Sequence, residues 1–139
     1  MVGIVVVGHG RVAEAMVQTL ESVLGAIDGI EAVTTDPHDT PEGIRVRLAA
    51  AVRRVDRGQG VIILTDMLGD TATNQSLALA RQATNVVEVV AGVNMPILIK
   101  LTTARGDMDA HHLARFIRRY GQEHIFWATE PTVAGRHER

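Results

Sequence analysis

Short apolar runs alternate with amphipathic segments along this chain. The runs are rich in Val and Ile, which is typical of strands, and they cover residues 3–8, 30–35, 61–65 and 86–90. Between and after these runs, apolar residues recur at helical spacing, which predicts helices over residues 12–24, 41–56, 71–83, 95–104 and 109–120. Strands that alternate with helices indicate a mostly parallel sheet with helices on both faces. The pattern therefore predicts a doubly wound α/β fold.

The end of the chain departs from this alternation. Residues 124–128 are predicted to form a last short strand, and residues 130–139 a polar tail. A chain of 139 residues has an ordinary length for one domain, and we predict a single domain over residues 1–129.

Composition argues against several classes of protein. A net charge of −2 and an aromatic content of only 3% argue against nucleic-acid binding. The chain has no cysteine, which excludes disulfides and thiolate chemistry. Its apolar runs are too short to span a bilayer, and its start lacks the features of a signal peptide. We therefore expect a cytoplasmic protein without membrane insertion.

One histidine lies where α/β proteins bind ligands. Gly8-His9-Gly10 follows the first predicted strand and precedes the first predicted helix. The carboxyl edge of a parallel sheet is a common ligand site, and the N–H groups that open a helix favour anions. Gly10 lets the backbone approach a ligand closely, and Arg11 adds a cation. The placement predicts that His9 handles an anion, with Gly10 and Arg11 as phosphate-binding residues.

A carboxylate is expected beside this histidine. Asp66 follows the third predicted strand, and Thr71 lies at the start of the next helix. Because parallel strands end at the same edge, we expect Asp66 to bond one nitrogen of His9 and leave the other nucleophilic. Thr71 can offer a hydroxyl and an amide to a phosphoryl group. Since phosphoryl transfer needs mainly positioning and charge stabilisation, we expect neither a metal nor a cofactor.

Other interpretations of the same residues stay open. A histidine at a strand end is often a hydrogen-bonded structural residue, and Asp66 could simply cap the next turn. The residues from Gly8 to Ala13 also fit the dinucleotide fingerprint G-x-G-x-x-G/A, with Glu31 or Asp36 as the acid that binds the ribose. Against nucleotide binding, the chain has no room for a substrate domain.

Three stretches together resemble a known family. They are residues 4–14, 60–74 and 87–96, and their order and spacing match over about residues 2–127. On these residues the chain is similar to the enzyme IIA component of the mannose-type (mannose/fructose/sorbose) phosphoenolpyruvate-dependent sugar phosphotransferase system. The resemblance implies that His9 accepts a phosphoryl group from the histidine-containing phosphocarrier protein and passes it to a IIB component in sugar uptake. It also implies that Asp66 orients the histidine and that Thr71 lies near the phosphoryl group.

The resemblance brings further expectations. It implies a homodimer in which the C-terminal strand near residues 124–128 takes part in the subunit interface and can be exchanged between subunits. A regulatory IIA-like protein and the phosphotransfer subunit of dihydroxyacetone kinase are alternatives that would use the same His9. The chain departs from the family at Gly69-Asp70-Thr71-Ala72, where the family usually has Gly-Gly-Ser-Pro. Asp70 would either add a negative charge near the phosphoryl group or point outward as a helix cap.

Overall fold

Four strands form one parallel sheet in the computed structural model, which describes residues 1–131. In chain order the strands are β1 (Gly3–His9), β2 (Ile30–Thr35), β3 (Val61–Thr65) and β4 (Val87–Ala91). They lie side by side in the order β2-β1-β3-β4, and every neighbouring pair is parallel. The ends of β1 and β3 therefore lie next to each other at the carboxyl edge.

The helices lie within a few residues of their predicted positions. They are α1 (Val12–Leu24), α2 (Pro41–Val55), α3 (Thr71–Gln82), α4 (Met95–Ala104) and α5 (Ala110–Glu123). In the described range, none is long and apolar enough to cross a membrane. The prediction of an α/β fold with a parallel sheet is confirmed.

Helices cover both faces of the sheet because the side chains of each strand alternate. In β1, Ile4 and Val6 face the layer formed by α1, α4 and α5, while Val5 and Val7 face the layer formed by α2 and α3. All four side chains are fully buried. A central strand that is buried on both faces accounts for the continuous apolar run at the start of the chain.

Side chains cap the N-termini of four helices. Thr40, Asp70, Asn94 and Asp109 each accept a hydrogen bond from the backbone N–H three residues further on. In α1 the corresponding position holds Arg11, and no side chain caps the helix. The first N–H groups of α1 thus lack a side-chain acceptor at the point where β1 ends.

The strand predicted over residues 124–128 is wrong for the described chain. α5 continues to Glu123, and residues 124–128 follow it without strand pairing. His124 instead packs on the last turn of α5: its Nδ1 donates to the Tyr120 carbonyl at 2.8 Å, and the two rings stack with centroids 3.7 Å apart. A strand needs a partner for its backbone hydrogen bonds, and within residues 1–131 this segment pairs with no strand of the sheet. Most of the polar tail predicted over residues 130–139 lies outside the described residues.

A buried arginine joins segments at the amino edge of the sheet. Arg105 follows α4, is only 6% exposed, and donates to the backbone carbonyls of Val2, Asp28 and Gly29. These carbonyls belong to the segments that enter β1 and β2. Burial lowers the pKa of the guanidinium, but an arginine stays charged at neutral pH. Its hydrogen bonds therefore fix the segments that precede β1 and β2 relative to each other.

Replacing Arg105 with Met should lower the free energy of unfolding by about 2 kcal/mol, because buried carbonyls lose their donor. Urea denaturation measures the change. Arg53→Met, at an exposed position of α2, is the matched control and should shift the value by less than about 0.5 kcal/mol. An Arg105→Met chain as stable as wild type would contradict the role of these bonds.

Candidate active site

His9 and Asp66 meet at the carboxyl edge of the sheet. His9 is the last residue of β1, and Asp66 directly follows the neighbouring β3. The Oδ2 atom of Asp66 lies 2.7 Å from Nδ1 of His9 and also accepts the His9 backbone N–H at 3.0 Å. The structure thus brings together the two side chains that the sequence predicts as catalytic.

This contact changes the acidity of both groups. The hydrogen bond to Asp66 and the charge of that carboxylate raise the pKa of the His9 ring above its ordinary 6.5, and the charge of Asp70 adds to the rise. Burial by itself raises the pKa of Asp66. The bonds from the backbone and ring of His9 outweigh it, and the pKa of Asp66 lies below its ordinary 3.8. Asp66 is therefore a carboxylate at neutral pH.

The contact also distinguishes the two ring nitrogens of His9. An ionised carboxylate can only accept a hydrogen bond, so Nδ1 carries the proton that points at Asp66. In the neutral ring, Nε2 then has a free lone pair. The His9 side chain is 57% exposed, so a group on another molecule can reach it. This is the arrangement that an imidazole nucleophile requires.

Asp70 takes part in the site in two ways. Its Oδ1 accepts the Thr73 N–H at 2.7 Å and so caps α3, while its Oδ2 lies 3.5 Å from Nδ1 of His9. The side chain is only 10% exposed. The sequence offered a nearby charge or an outward-pointing cap as alternatives. The structure combines cap and charge, because α3 begins beside the histidine.

A cavity of about 360 Å³ opens beside His9 on the side of β2. Gly10 and Thr71 line it together with His9, and Thr71 is the first residue of α3. The Gly10 N–H is already used, since it donates to the Thr35 carbonyl at 2.9 Å. Gly10 therefore has a narrower part than predicted: it permits close approach but cannot donate to an anion.

Arg11 extends away from the protein surface. Its side chain is 83% exposed, and its Nε lies 3.5 Å from the Glu14 carboxylate. That the Arg11 guanidinium binds phosphate stays a prediction.

Two buried threonines that shape the site were missed in the sequence. The Thr35 hydroxyl donates to the Gly8 carbonyl at 3.0 Å, which ties β2 to the end of β1. Thr73 Oγ1 lies 2.8 Å from Thr65 Oγ1 and 2.5 Å from the Met67 carbonyl, and so holds the segments on both sides of Asp66. The available signal was a threonine at the end of a strand: Thr35 ends β2, and Thr65, the partner of Thr73, ends β3.

The acids considered for a ribose have other partners. Glu31 is bonded to Arg54 at 2.7 Å, and Asp36 accepts the His38 N–H at 2.9 Å within a turn. The geometry therefore gives no specific support to a dinucleotide site.

Comparison with protein families covers most of the chain. The family model EIIA-man, described as "PTS system fructose IIA component", matches residues 3–118. This chain belongs to the EIIA-man family. The resemblance to mannose-type IIA components that the sequence suggested is thereby confirmed.

Curated relatives of this EIIA-man chain have corresponding names. The mannose-specific EIIAB component of Escherichia coli K12 is 29% identical over 106 residues, which make up 76% of this chain and 32% of the relative. The chain thus aligns with about a third of the length of the first such relatives. The sorbose-specific EIIA component of Lacticaseibacillus casei is 22% identical over 120 residues, or 86% of each chain.

Solved structures of similar proteins have the same fold. A phosphotransferase system component EIIA from Streptococcus agalactiae superposes with a TM-score of 0.83 at 24% identity, covering 91% of this chain and 96% of that one. A mannose/sorbose specific IIA subunit from Enterococcus faecalis gives 0.81 at 22% identity, with 94% and 96% covered. At these identities the likeness concerns the fold.

Gly8 gives Asp66 the space to reach His9 in this EIIA-man chain. A Cβ atom at Gly8 would lie 3.2 Å from both Cγ and Oδ2 of Asp66, which is closer than ordinary van der Waals contact. The carboxylate would have to move by a few tenths of an ångström. The glycine before the histidine is therefore part of the site.

Gly8→Ala should weaken the Nδ1–Asp66 bond at a cost in stability of only about 1 kcal/mol, as for mild overpacking. The fraction of neutral His9 rings that carry their proton on Nδ1, measured by ¹⁵N NMR, should fall. Gly106→Ala is the matched control, because a Cβ there meets no atom within 4 Å. A His9 tautomer equilibrium equal to that of wild type would show that Gly8 has no part in placing Asp66.

Proposed function

We propose that His9 accepts a phosphoryl group from the histidine-containing phosphocarrier protein and passes it to a IIB component during sugar uptake. The observation that carries this proposal is the arrangement of the ring: Asp66 holds Nδ1 at 2.7 Å, and the side chain that carries Nε2 is 57% exposed. Membership of the EIIA-man family supports the same chemistry.

The transfer is a displacement at phosphorus. The lone pair of His9 Nε2 forms a new N–P bond, while the N–P bond to the donor histidine breaks and its electron pair returns to the donor ring. The substituted His9 ring is cationic as long as Nδ1 keeps its proton, and the Asp66 carboxylate stabilises that charge. The same steps in reverse pass the phosphoryl group to the acceptor.

The start of α1 is suited to the phosphoryl oxygens. The first N–H groups of a helix have no intrahelical acceptor, and in α1 no side chain caps them. Thr71 can add its hydroxyl from the other side of His9, since both residues line one cavity. We propose that these groups stabilise the transferring group, so the transfer itself requires no metal.

The alternatives within the fold differ in their acceptors. The names of the relatives refer to mannose, sorbose and fructose systems, which favours a sugar relay over the phosphotransfer subunit of dihydroxyacetone kinase. A regulatory protein would be phosphorylated in the same way. Adding a IIB component to the phosphorylated protein separates the two, because only the relay loses its phosphoryl group to IIB.

Incubation with phosphoenolpyruvate, enzyme I and the phosphocarrier protein should attach one phosphate that is stable in base and labile in acid. His9→Ala should abolish this labelling. His112→Ala is the matched control, because His112 is another exposed histidine whose Nδ1 lies 2.8 Å from an aspartate, Asp109. Labelling that survives His9→Ala, or that is lost in His112→Ala, would overturn the assignment.

Asp66→Asn should slow labelling by on the order of 100-fold or more, since the imidazole loses the carboxylate that fixes its tautomer. Stopped-flow or quenched labelling at fixed donor concentration measures the rate. An unchanged rate would remove Asp66 from the mechanism while leaving His9 as the acceptor.

A homodimer is the second part of the proposal. β4 ends the sheet, and its outer edge pairs with no strand among residues 1–131. A groove of about 560 Å³ lies along β4 and α5. Ile125 and Trp127, in the segment that is not a strand in one chain, are 77% and 71% exposed. We propose that residues 124–128 of one subunit add to β4 of the other, which would cover both the open edge and the apolar side chains.

Replacing Ile125 and Trp127 together with Asp should convert the dimer into a monomer, because two charges cannot be buried against the partner. Sedimentation equilibrium measures the mass. Val46→Asp is the matched control, at a 60% exposed apolar position on α2, in the layer on the other face of the sheet. A wild-type monomer, or a double variant that stays dimeric, would contradict the proposed interface.

A further inference from the structure

Three potential metal ligands converge at the end of β1. Each of His9, Asp66 and Asp70 has one potential ligand atom here, and these three atoms lie within 4.8 Å of one another. Nδ1 of His9 is 2.7 Å from Asp66 Oδ2 and 3.5 Å from Asp70 Oδ2. The phosphoryl relay uses His9 and Asp66, but it leaves the second carboxylate unexplained.

Two oxygens of this cluster are buried without hydrogen-bond partners among the described residues. They are Oδ1 of Asp66 and Oδ2 of Asp70. The two side chains are only 14% and 10% exposed, so water can provide few hydrogen bonds to these oxygens. Buried charges of this kind are normally paired or bound to a metal, because an unpaired one is costly.

Positive charge near the pair is scarce. Arg11 is turned to solvent and lies beside Glu14, and the cavity on the other side of His9 is lined by Asp36 and Asp39. Asp39 is itself bonded to Arg47. Among these described neighbours, the His9 ring is the group nearest the two carboxylates that can carry a positive charge, and it does so only when protonated.

We propose that His9, Asp66 and Asp70 bind one divalent transition-metal ion of the Zn²⁺ type. One imidazole with two carboxylates is a donor set that such ions accept, with bonds of about 2.1 Å. Two ligands of a tetrahedral ion at that distance are about 3.4 Å apart, close to the 3.5 Å between His9 Nδ1 and Asp70 Oδ2. Nδ1 and Asp66 Oδ2 are 2.7 Å apart, so they must separate by about 0.7 Å for the ion to take the place of the proton between them.

The ion would act as a tautomer switch on the relay. A neutral imidazole that binds a metal through Nδ1 carries its proton on Nε2. The proton therefore moves from Nδ1 to Nε2, and Nε2 no longer has a lone pair for phosphorus. Inhibition of phosphorylation by the ion rests on the proposed function, whereas binding of the ion does not.

Titration of the metal-free protein with Zn²⁺ in a calorimeter tests the site. Wild type should bind one ion at a saturable site, and Asp70→Asn should bind about tenfold or more weakly, since it loses a charged ligand. Asn also caps helices, so Asp70→Asn should keep α3 intact. Asp109→Asn is the matched control, since Asp109 caps α5 in the same way. Circular dichroism checks that every variant is folded, and Asp70→Ser, which also caps, replaces Asp70→Asn if that variant is not.

The possible results are distinct. No saturable binding by wild type up to about 1 mM Zn²⁺, or equal binding by wild type and Asp70→Asn, overturns the proposal. A loss in Asp109→Asn as large as in Asp70→Asn overturns it too, because the ion would then lie elsewhere. Since the titration needs no phosphocarrier, it decides the metal site even if His9 is never labelled. If labelling occurs, Zn²⁺ should slow it in wild type more than in Asp70→Asn.

Discussion

The bond between His9 and Asp66 is the interaction on which the rest of the site depends. It joins residues that are 57 positions apart in the chain, and it exists because β1 and β3 are neighbours in a parallel sheet. Oδ2 of Asp66 accepts from both the ring and the backbone of His9, so the carboxylate orients the whole residue. The glycine before His9 leaves space for that carboxylate. Although the His9 side chain is 57% exposed, these bonds fix its Nδ1 on Asp66 and leave Nε2 as the nitrogen that can react.

The second carboxylate, Asp70, has two structural roles beside His9. Asp70 caps α3 with one oxygen, as aspartates commonly do, and turns the other toward His9. The cap by itself would be compatible with an outward side chain. Because the cap residue lies where α3 approaches the end of β1, a helix-stabilising residue also becomes part of the candidate site. The balance of charge around His9 is therefore set by helix placement as well as by Asp66.

The carboxyl-terminal segment has the sequence pattern of a strand but forms no strand within a single chain. Residues 124–128 have the apolar pattern of a strand, yet within one chain they follow α5 without pairing. β4 meanwhile has an outer edge without a strand partner in the described range. The contact between subunits that we propose would use both features. It would also give the pattern of Ile125 and Trp127 a use, even though the strand prediction fails for one chain.

The strands, the helices and the α/β class follow from the sequence alone, because apolar periodicity and helix-capping residues such as Thr40 and Asn94 act over a few positions. The approach of Asp66 to His9 could also be anticipated, since parallel strands end at one edge. The hydrogen bonds of Thr35 and Thr73 could not, because they depend on which strands are neighbours and how the loops close. The hydrogen bond from the Gly10 N–H to the Thr35 carbonyl and the approach of Asp70 to His9 could not be anticipated either. These depend on distances of a few ångströms between elements, and only the packed tertiary structure determines such distances.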